Sequence, residues 1–380
     1  MTIQPFRVAL IGGGINSAAG YAHYCAMTLD GIFNVVTGSF SRNADINAAT
    51  AKRYGVETKR VWNDWKEALK HEQGSFDIVV VLTPTPSHHA IVRYCILNGF
   101  PVICEKALVA NAEDADDLLQ ITKEKKGFLA VTYNYTGYPM LRELKKMISD
   151  GRLGKIIHFQ ALMPQEGFLR KDSRGNKPKP QQWRLTDDRI PVIHLDLAVH
   201  LHEIIYYLTG LKPCEVISDH SSKGFFENVT DNVECLAKYE DDVRGHFWFS
   251  KSALGYRNGL EVEIFGTEAS AKWVQGNPEE MIVSYADGAR IIADRGYSGV
   301  TIANEERYTR FKAGHPAGFI EAFANVYRDI ASAFACYQNT KTWSSDEVFG
   351  VELVFDGMLF LKAMVNSVNS KKWEKITYVR

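Results

Sequence analysis

The sequence predicts an α/β chain in which a doubly wound parallel sheet is followed by an α+β domain carrying a largely antiparallel open sheet. Three observations support this. Between Arg7 and about Thr132, short apolar runs alternate with helical patterns, which is the rhythm of parallel strands joined by helices. The runs Val8 to Ile11 and Ile78 to Leu82 are apolar without alternation, as expected of strands covered on both faces. After Met140 the rhythm changes to consecutive strand-like runs with short connections, the pattern of an antiparallel sheet.

Taken in order, the first region reads as strand VALIG, a helical segment to Leu29, strand NVVTGSF, helix Ile46 to Tyr54, strand IVVVLT, helix Ser87 to Leu97, strand VIC, helix Ala112 to Lys125 and strand FLAVT. The domain boundary is expected there, giving residues 1–135 and 136–380. Beyond it come one helix, a strand from Lys155 to Leu162, and a polar stretch from Gln165 to Arg189. That stretch contains SRGNKPKPQQW, too rich in Pro and Lys for a core, and reads as a loop placed to act as a lid. An amphipathic helix follows from Leu195 to Leu208, then strands at Glu215 to Asp219, Val233 to Tyr239, Arg244 to Lys251, Leu260 to Phe265 and Met281 to Tyr285. Helices Ala317 to Tyr337 and Glu347 to Val365 close the chain.

Composition narrows the function. With 380 residues and 46% hydrophobic content the chain can bury two cores. A net charge of −1 gives no electrostatic signature for nucleic acid or an anionic membrane, and small neutral or weakly charged ligands fit better. The six cysteines are scattered, without the spacing of a disulfide framework or a thiolate zinc site, so a reducing cytoplasm is expected. The start MTIQPFRVALIGGG passes straight into a strand without a leader pattern, and no apolar run is long enough to span a bilayer.

Four local patterns could carry chemistry. Gly12, Gly13 and Gly14 directly follow the first strand, where glycines let the backbone approach a pyrophosphate held on helix amides. Their spacing is unusual, because the sixth position of the G-x-G-x-x-G pattern is Ser17 and the next glycine is Gly20. The second strand ends in GSFSRN, with Ser39, Ser41 and Arg42 and no carboxylate, which permits a 2′-phosphate and leans towards NADP without excluding NAD. Strand VICEK delivers Glu105 and Lys106 at its carboxyl end, where a lysine can hold a reacting oxygen, although a surface ion pair would give the same tetrad. In HLDLAVHLHE, Asp196 and His200 stand four residues apart on one helical face, suited to a general base with an orienting carboxylate. A polar helix surface is the plainer reading, and a metal site of His194, Asp196, His200 and His202 is disfavoured because His202 falls on another face.

In this order VALIGGG, TPTPSHHA, VICEKA, NYTGYP, D-L-A-V-H and GHPAGFIEAFANVYRD resemble the Gfo/Idh/MocA family of oxidoreductases over nearly the whole chain. The resemblance implies an N-terminal Rossmann domain binding NAD or NADP, and a C-terminal domain that binds a sugar or polyol and assembles a homo-oligomer, dimer or tetramer. It implies Lys106 and His200 as the proton-handling pair, with Asp196 orienting the base or holding a substrate hydroxyl. It also implies that Thr83, Pro84, Thr85 and His88 lie along the cofactor, with Glu105 and Asn134 near its ribose and nicotinamide. Gln165 and His315 are implied as substrate ligands, and Trp183 with Arg184 as part of the loop over the nicotinamide. Ala107 departs from the family's proline, and a cis bond costs roughly 3 kcal/mol without proline, which leaves open whether the peptide after Lys106 keeps the family geometry. PVIHLDLAVH also lacks the glycines common before this motif and has His194 in their place, which bears on substrate scope. A dinucleotide-binding sensor without turnover, and a hydrolase or lyase using a tightly held NAD, are the competing functions within the same resemblance.

Overall fold

The structure is a computed structural model that describes residues 4–378, and its backbone divides into two compact units. The first consists of the chain up to Gly137 together with Gly318–Phe355. Its five parallel strands are β1 (Phe6–Gly12), β2 (Phe33–Ser39), β3 (Ile78–Leu82), β4 (Val102–Glu105) and β5 (Leu129–Thr132), in the order β2-β1-β3-β4-β5. All five residues of β3 are buried, the consequence of a central parallel strand with helices over both faces. The connecting helices are α1 (Gly20–Leu29), α2 (Ala44–Tyr54), α3 (Trp65–His71), α4 (His88–Leu97) and α5 (Ala112–Lys125). Local chemistry sets their starts. The side chains of Asn43 and Asn111 accept the Ile46 and Asp114 amides and so cap α2 and α5, and Asp64 caps α3 on two amides.

The second unit runs from Tyr138 to Ala317 and resumes at Asp356. It contains α6 (Pro139–Ser149), β6 (Ile156–Pro164), α7 (Val199–Thr209), β7 (Pro213–Ser221), β8 (Asn232–Tyr239), β9 (Arg244–Ser250), β10 (Glu261–Gly266), β11 (Ala269–Val274), β12 (Glu280–Tyr285) and β13 (Arg290–Asp294). With β14 (Glu374–Lys375) they form a nine-stranded sheet, β13-β12-β11-β10-β6-β9-β8-β7-β14, antiparallel except for the β6 and β9 pair. Buried and more exposed residues alternate along β8 and β9, so one face packs on helices and the other is open. The polar stretch from Gln165 to Arg189 has no strand or α-helix, as expected of a loop.

Two long helices end the chain: α8 (Phe319–Thr340) and α9 (Val351–Ser370). The sequence division at 135/136 grouped both with the second domain, whereas α8 packs into the first. Its stripe Phe323, Val326, Tyr327, Ile330 and Phe334 enters the same core as Val8, Leu10, Ile78, Val80 and Ile103. The i, i+3, i+4 spacing specifies a buried face but not which sheet it covers. Strands β11, β13 and β14 and helix α3 were absent from the sequence reading, being short and flanked by polar turns. None of the helices among the described residues is long and apolar enough to cross a membrane.

Candidate active site

In the first unit the ligand edge is the carboxyl end of the sheet, at the switch between β1 and β3. Gly12 and Gly13 take left-handed φ values of +81° and +71°. A Cβ on Gly12 would lie 2.7 Å from the Leu82 carbonyl carbon, so β1 can turn beside β3 only without one. Gly20, rather than the sixth position of the motif, opens the helix: a Cβ there would lie 2.4 Å from the Gly13 oxygen. The turn is therefore longer than the standard fingerprint. It is also held from outside, because the Tyr54 hydroxyl donates to the Gly13 carbonyl at 3.0 Å, and burial pushes that hydroxyl up to about 12, keeping it a donor. At the end of β2, Ser39 is buried while Arg42 is exposed, and the Ser41 hydroxyl accepts the Asn43 amide at 3.1 Å.

Thr83, Pro84 and Thr85 continue from β3 into a short turn, where the Ser87 hydroxyl bonds the Thr83 hydroxyl at 2.8 Å. His88 is fully buried, with Nδ1 2.9 Å from the Ala107 carbonyl and Nε2 2.5 Å from the Thr83 carbonyl. Both ring nitrogens thus face backbone oxygens, so that His88, expected along the cofactor, clasps the Thr83 and Ala107 loops together. Burial lowers its pKa, opposed by the two carbonyls. Glu105 ends β4 beside Thr132, whose hydroxyl donates to it at 2.5 Å, and His23, whose Nε2 lies 2.9 Å away. Burial would raise the Glu105 carboxyl, but His23, Lys106 and Thr132 together hold it at about 2. Lys106 is half-buried, and the peptide joining it to Ala107, left open by the departure from proline, is cis. Asn134, in the turn after β5, is 3% exposed and its Nδ2 has no hydrogen-bond partner among the described residues. A glycine turn that admits no Cβ and a buried, unmet amide donor fit a dinucleotide on this edge.

In the second unit, residues His194–Ala198 form one π-helical turn that runs into α7. Such turns often mark functional sites because they re-aim side chains within a helix. Asp196 lies in the π turn, and His200, 4% exposed, lies in the first turn of α7. The Asp196 Oδ2 receives Arg184 Nη1 at 2.8 Å and Lys251 Nζ at 2.6 Å. Lys251 also donates to Gln165 Oε1 at 2.6 Å, and Gln165 Nε2 donates to Asn258 at 2.8 Å. Phe168, Arg184, Val192, Ile193, Asp196 and Lys251 line a cleft at this point. The Trp183 ring carries the Arg184 guanidinium, 4.4 Å from its centroid.

The remaining histidines separate by environment. His194 Nε2 lies 3.2 Å from His220 Nε2; burial drives His194 well below its usual range and His220 down to about 4. His202 is buried against Gly357 and Phe360, and burial lowers it to about 4. Among the described residues no three His, Cys, Asp or Glu are grouped to hold a metal. His315 is exposed; its carbonyl accepts Arg295 Nη2 at 3.0 Å and its ring faces Phe311. Sequence reasoning brought Asp196, Gln165 and Arg184 forward separately but missed Lys251, the cation that joins them. A lysine closing an apolar strand was its only signal.

Comparison with known proteins identifies the family and the fold. Residues 6–133 match the model of the oxidoreductase family with an NAD-binding Rossmann fold, and residues 141–272 match that of the GFO/IDH/MocA C-terminal domain. The chain is 27% identical to the uncharacterized oxidoreductase YfiI of Bacillus subtilis, over 96% of this chain and 95% of that one. It is 25% identical to levoglucosan dehydrogenase of Pseudarthrobacter phenanthrenivorans, over 75% and 77% of the two chains. Among solved structures, an inositol dehydrogenase homolog from Azotobacter vinelandii complexed with NADH and myo-inositol superposes with a TM-score of 0.87 at 24% identity, covering 98% of both chains. That last likeness speaks for the fold.

Proposed function

The chain belongs to the Gfo/Idh/MocA family of oxidoreductases, and from that premise we propose that it moves a hydride between a nicotinamide cofactor and a secondary hydroxyl of a sugar, inositol or sugar derivative. The observation that carries this reading is Lys106, which follows β4 at the same carboxyl edge of the sheet as the glycine turn that ends β1, with β3 between them. A cation there meets the place where charge develops on a reacting oxygen.

In this reading the turn from Gly12 to Gly14 holds the pyrophosphate, Ser41 and Arg42 the adenosine ribose, and Thr83 to Thr85, Glu105 and Asn134 the nicotinamide half. Trp183 and Arg184 close over it from the loop. The bound nicotinamide supplies the acceptor for the hydride released by the carbinol carbon. His200 takes the hydroxyl proton, a task suited to an imidazole near neutrality. Lys106 holds the oxygen as it becomes a carbonyl, and the same proton transfers run backwards in reduction. Asp196, Gln165, Asn134 and His315 offer polar partners to the other hydroxyls, whose burial unpaired would be costly. Because Asp196 is already an acceptor for Arg184 and Lys251, its part is to anchor those cations and receive a substrate hydroxyl. The absence of a carboxylate after β2, with Arg42 exposed there, supports use of NADP as well as NAD.

The test is a panel of sugars, inositols and sugar nucleotides with NAD and NADP, read by absorbance of the reduced cofactor. Turnover of at least one polyol or ketose is expected. Dinucleotide binding with no turnover of any member would replace this reading with a sensor.

A further inference from the structure

Behind the ligand edge of the first unit lies a run of buried polar groups that the proposed reaction does not use. The Tyr327 hydroxyl on α8 is 2.8 Å from Nδ1 of His23 on α1, and His23 Nε2 faces Oε2 of Glu105 at 2.9 Å. Thr132, closing β5, donates to the same carboxylate oxygen. His23 is fully buried, and Tyr327 and Thr132 are 1% exposed. The surrounding core is Phe323, Phe33, Ala26 and Met27, where apolar residues would fill the same space. Polar groups are retained in such a place at a cost unless they meet partners; here Tyr327 and Thr132 do so by hydrogen bonds, and His23 Nε2 meets Glu105 as a close ion-pair contact outside hydrogen-bond geometry.

Chemistry gives the line a direction. The tyrosine hydroxyl meets Nδ1, which leaves Nε2 on the side of the ring that faces the carboxylate at 2.9 Å. Burial, then the Glu105 charge, push the Tyr327 hydroxyl well above its usual range, so it stays a donor. Thr132 donates to Oε2 and His23 lies against the same oxygen, and neither contact uses Oε1.

We propose that Tyr327, His23 and Glu105 form a buried relay in which His23 is a positioning residue, fixing the Glu105 carboxylate so that Oε1 accepts the ribose hydroxyls of the nicotinamide cofactor beside Lys106. The inference rests on the reading of Glu105 as a cofactor contact. Glu105 is faced by His23 from α1, by Lys106 and Cys104 from its own strand, by His88 from α4, and by Tyr327 from behind His23. Burial holds Cys104 protonated and lowers His88, so His23 and Lys106 oppose the cost of burying the carboxylate. Without His23 that cost is met by less, the carboxyl titrates at higher pH, and the acceptor is lost as pH falls.

The experiment measures NADH and NADPH dissociation constants by fluorescence from pH 5 to 9 for the full chain and for His23→Phe, Tyr327→Phe, Glu105→Gln and the pairwise combinations. Phenylalanine keeps the ring packed on Phe323, 4.4 Å away between centroids in the native chain. The native protein is expected to bind with a flat pH profile. His23→Phe weakens binding about tenfold at pH 7 and further towards pH 5, and Tyr327→Phe about threefold with the same trend. On the Glu105→Gln background neither change adds a further loss. Unchanged affinity and a flat profile in His23→Phe, or losses that add on the Glu105→Gln background, overturn the relay. If His23→Phe does not fold, Tyr327→Phe with and without Glu105→Gln decides by the same additivity. A native chain that binds neither dinucleotide would instead refute the cofactor reading.

Discussion

The two units present their candidate residues in different ways. At the first sheet's edge several candidate residues sit on, or one to two residues beyond, a strand end: the glycine turn after β1, Thr83 after β3, Lys106 after β4 and Asn134 after β5. In the second unit, Gln165, Arg184, Asp196 and Lys251 are drawn from a strand end, a long loop, a π turn and another strand end, and meet only as an ion-pair and hydrogen-bond cluster. A scaffold of strand ends suits a cofactor whose shape is constant. A cluster of side chains on loops can change with the substrate while the sheet stays the same.

Substitutions separate the two. The largest effect is expected from Lys106→Ala, with kcat/KM falling on the order of 10³-fold while the cofactor dissociation constant stays within a few-fold. Parallel loss of cofactor binding would make Lys106 part of the dinucleotide scaffold. Next is acid stability. His220 and His202 titrate near 4 when folded, below the usual 6.5, so the folded chain binds fewer protons than the unfolded one between those values. Stability should be full above pH 6.5 and fall by pH 4, on the order of 3 kcal/mol for each histidine. Glu105, held near 2, has the same sign but acts below its usual range of about 4.5. Hydrogen exchange at pH 5 should therefore open the second unit around α7 and β7 before the glycine turn, and equal loss of protection would remove this distinction.

Smaller effects follow in the cluster. Lys251→Ala removes one of the cations on Asp196 and should raise substrate KM roughly tenfold, with cofactor affinity unchanged; an equal fall in cofactor affinity would mean that the two halves are not independent. Arg42→Ala should lower kcat/KM with NADP by several-fold relative to NAD. An unaltered ratio would assign Arg42 to the solvated surface.

The same contrast decides what the sequence could reveal. The parallel strands, Gly12 to Gly14, Glu105 and Lys106 were legible because each occupies a short stretch whose pattern states its own structure. Tyr327 and Lys251 were not, since their partners lie far away in sequence; His23 and Tyr327 are separated by 304 positions. The placement of α8 failed for the same reason, an apolar stripe being indifferent to which sheet it meets. The hydrogen bonds of His88 were likewise not legible: its motif position gave its place in the chain, and only the fold shows both ring nitrogens turned onto backbone carbonyls.

The most direct measurement follows the hydride itself. With the polyol identified by the substrate panel deuterated at its carbinol carbon, the reduced cofactor is isolated and weighed by mass spectrometry. One deuterium per turnover is expected in the nicotinamide ring, and Lys106→Ala and His200→Ala should slow its appearance without diverting it. Oxidised product whose deuterium appears in solvent, with an unlabelled cofactor, would contradict direct transfer between carbinol and nicotinamide.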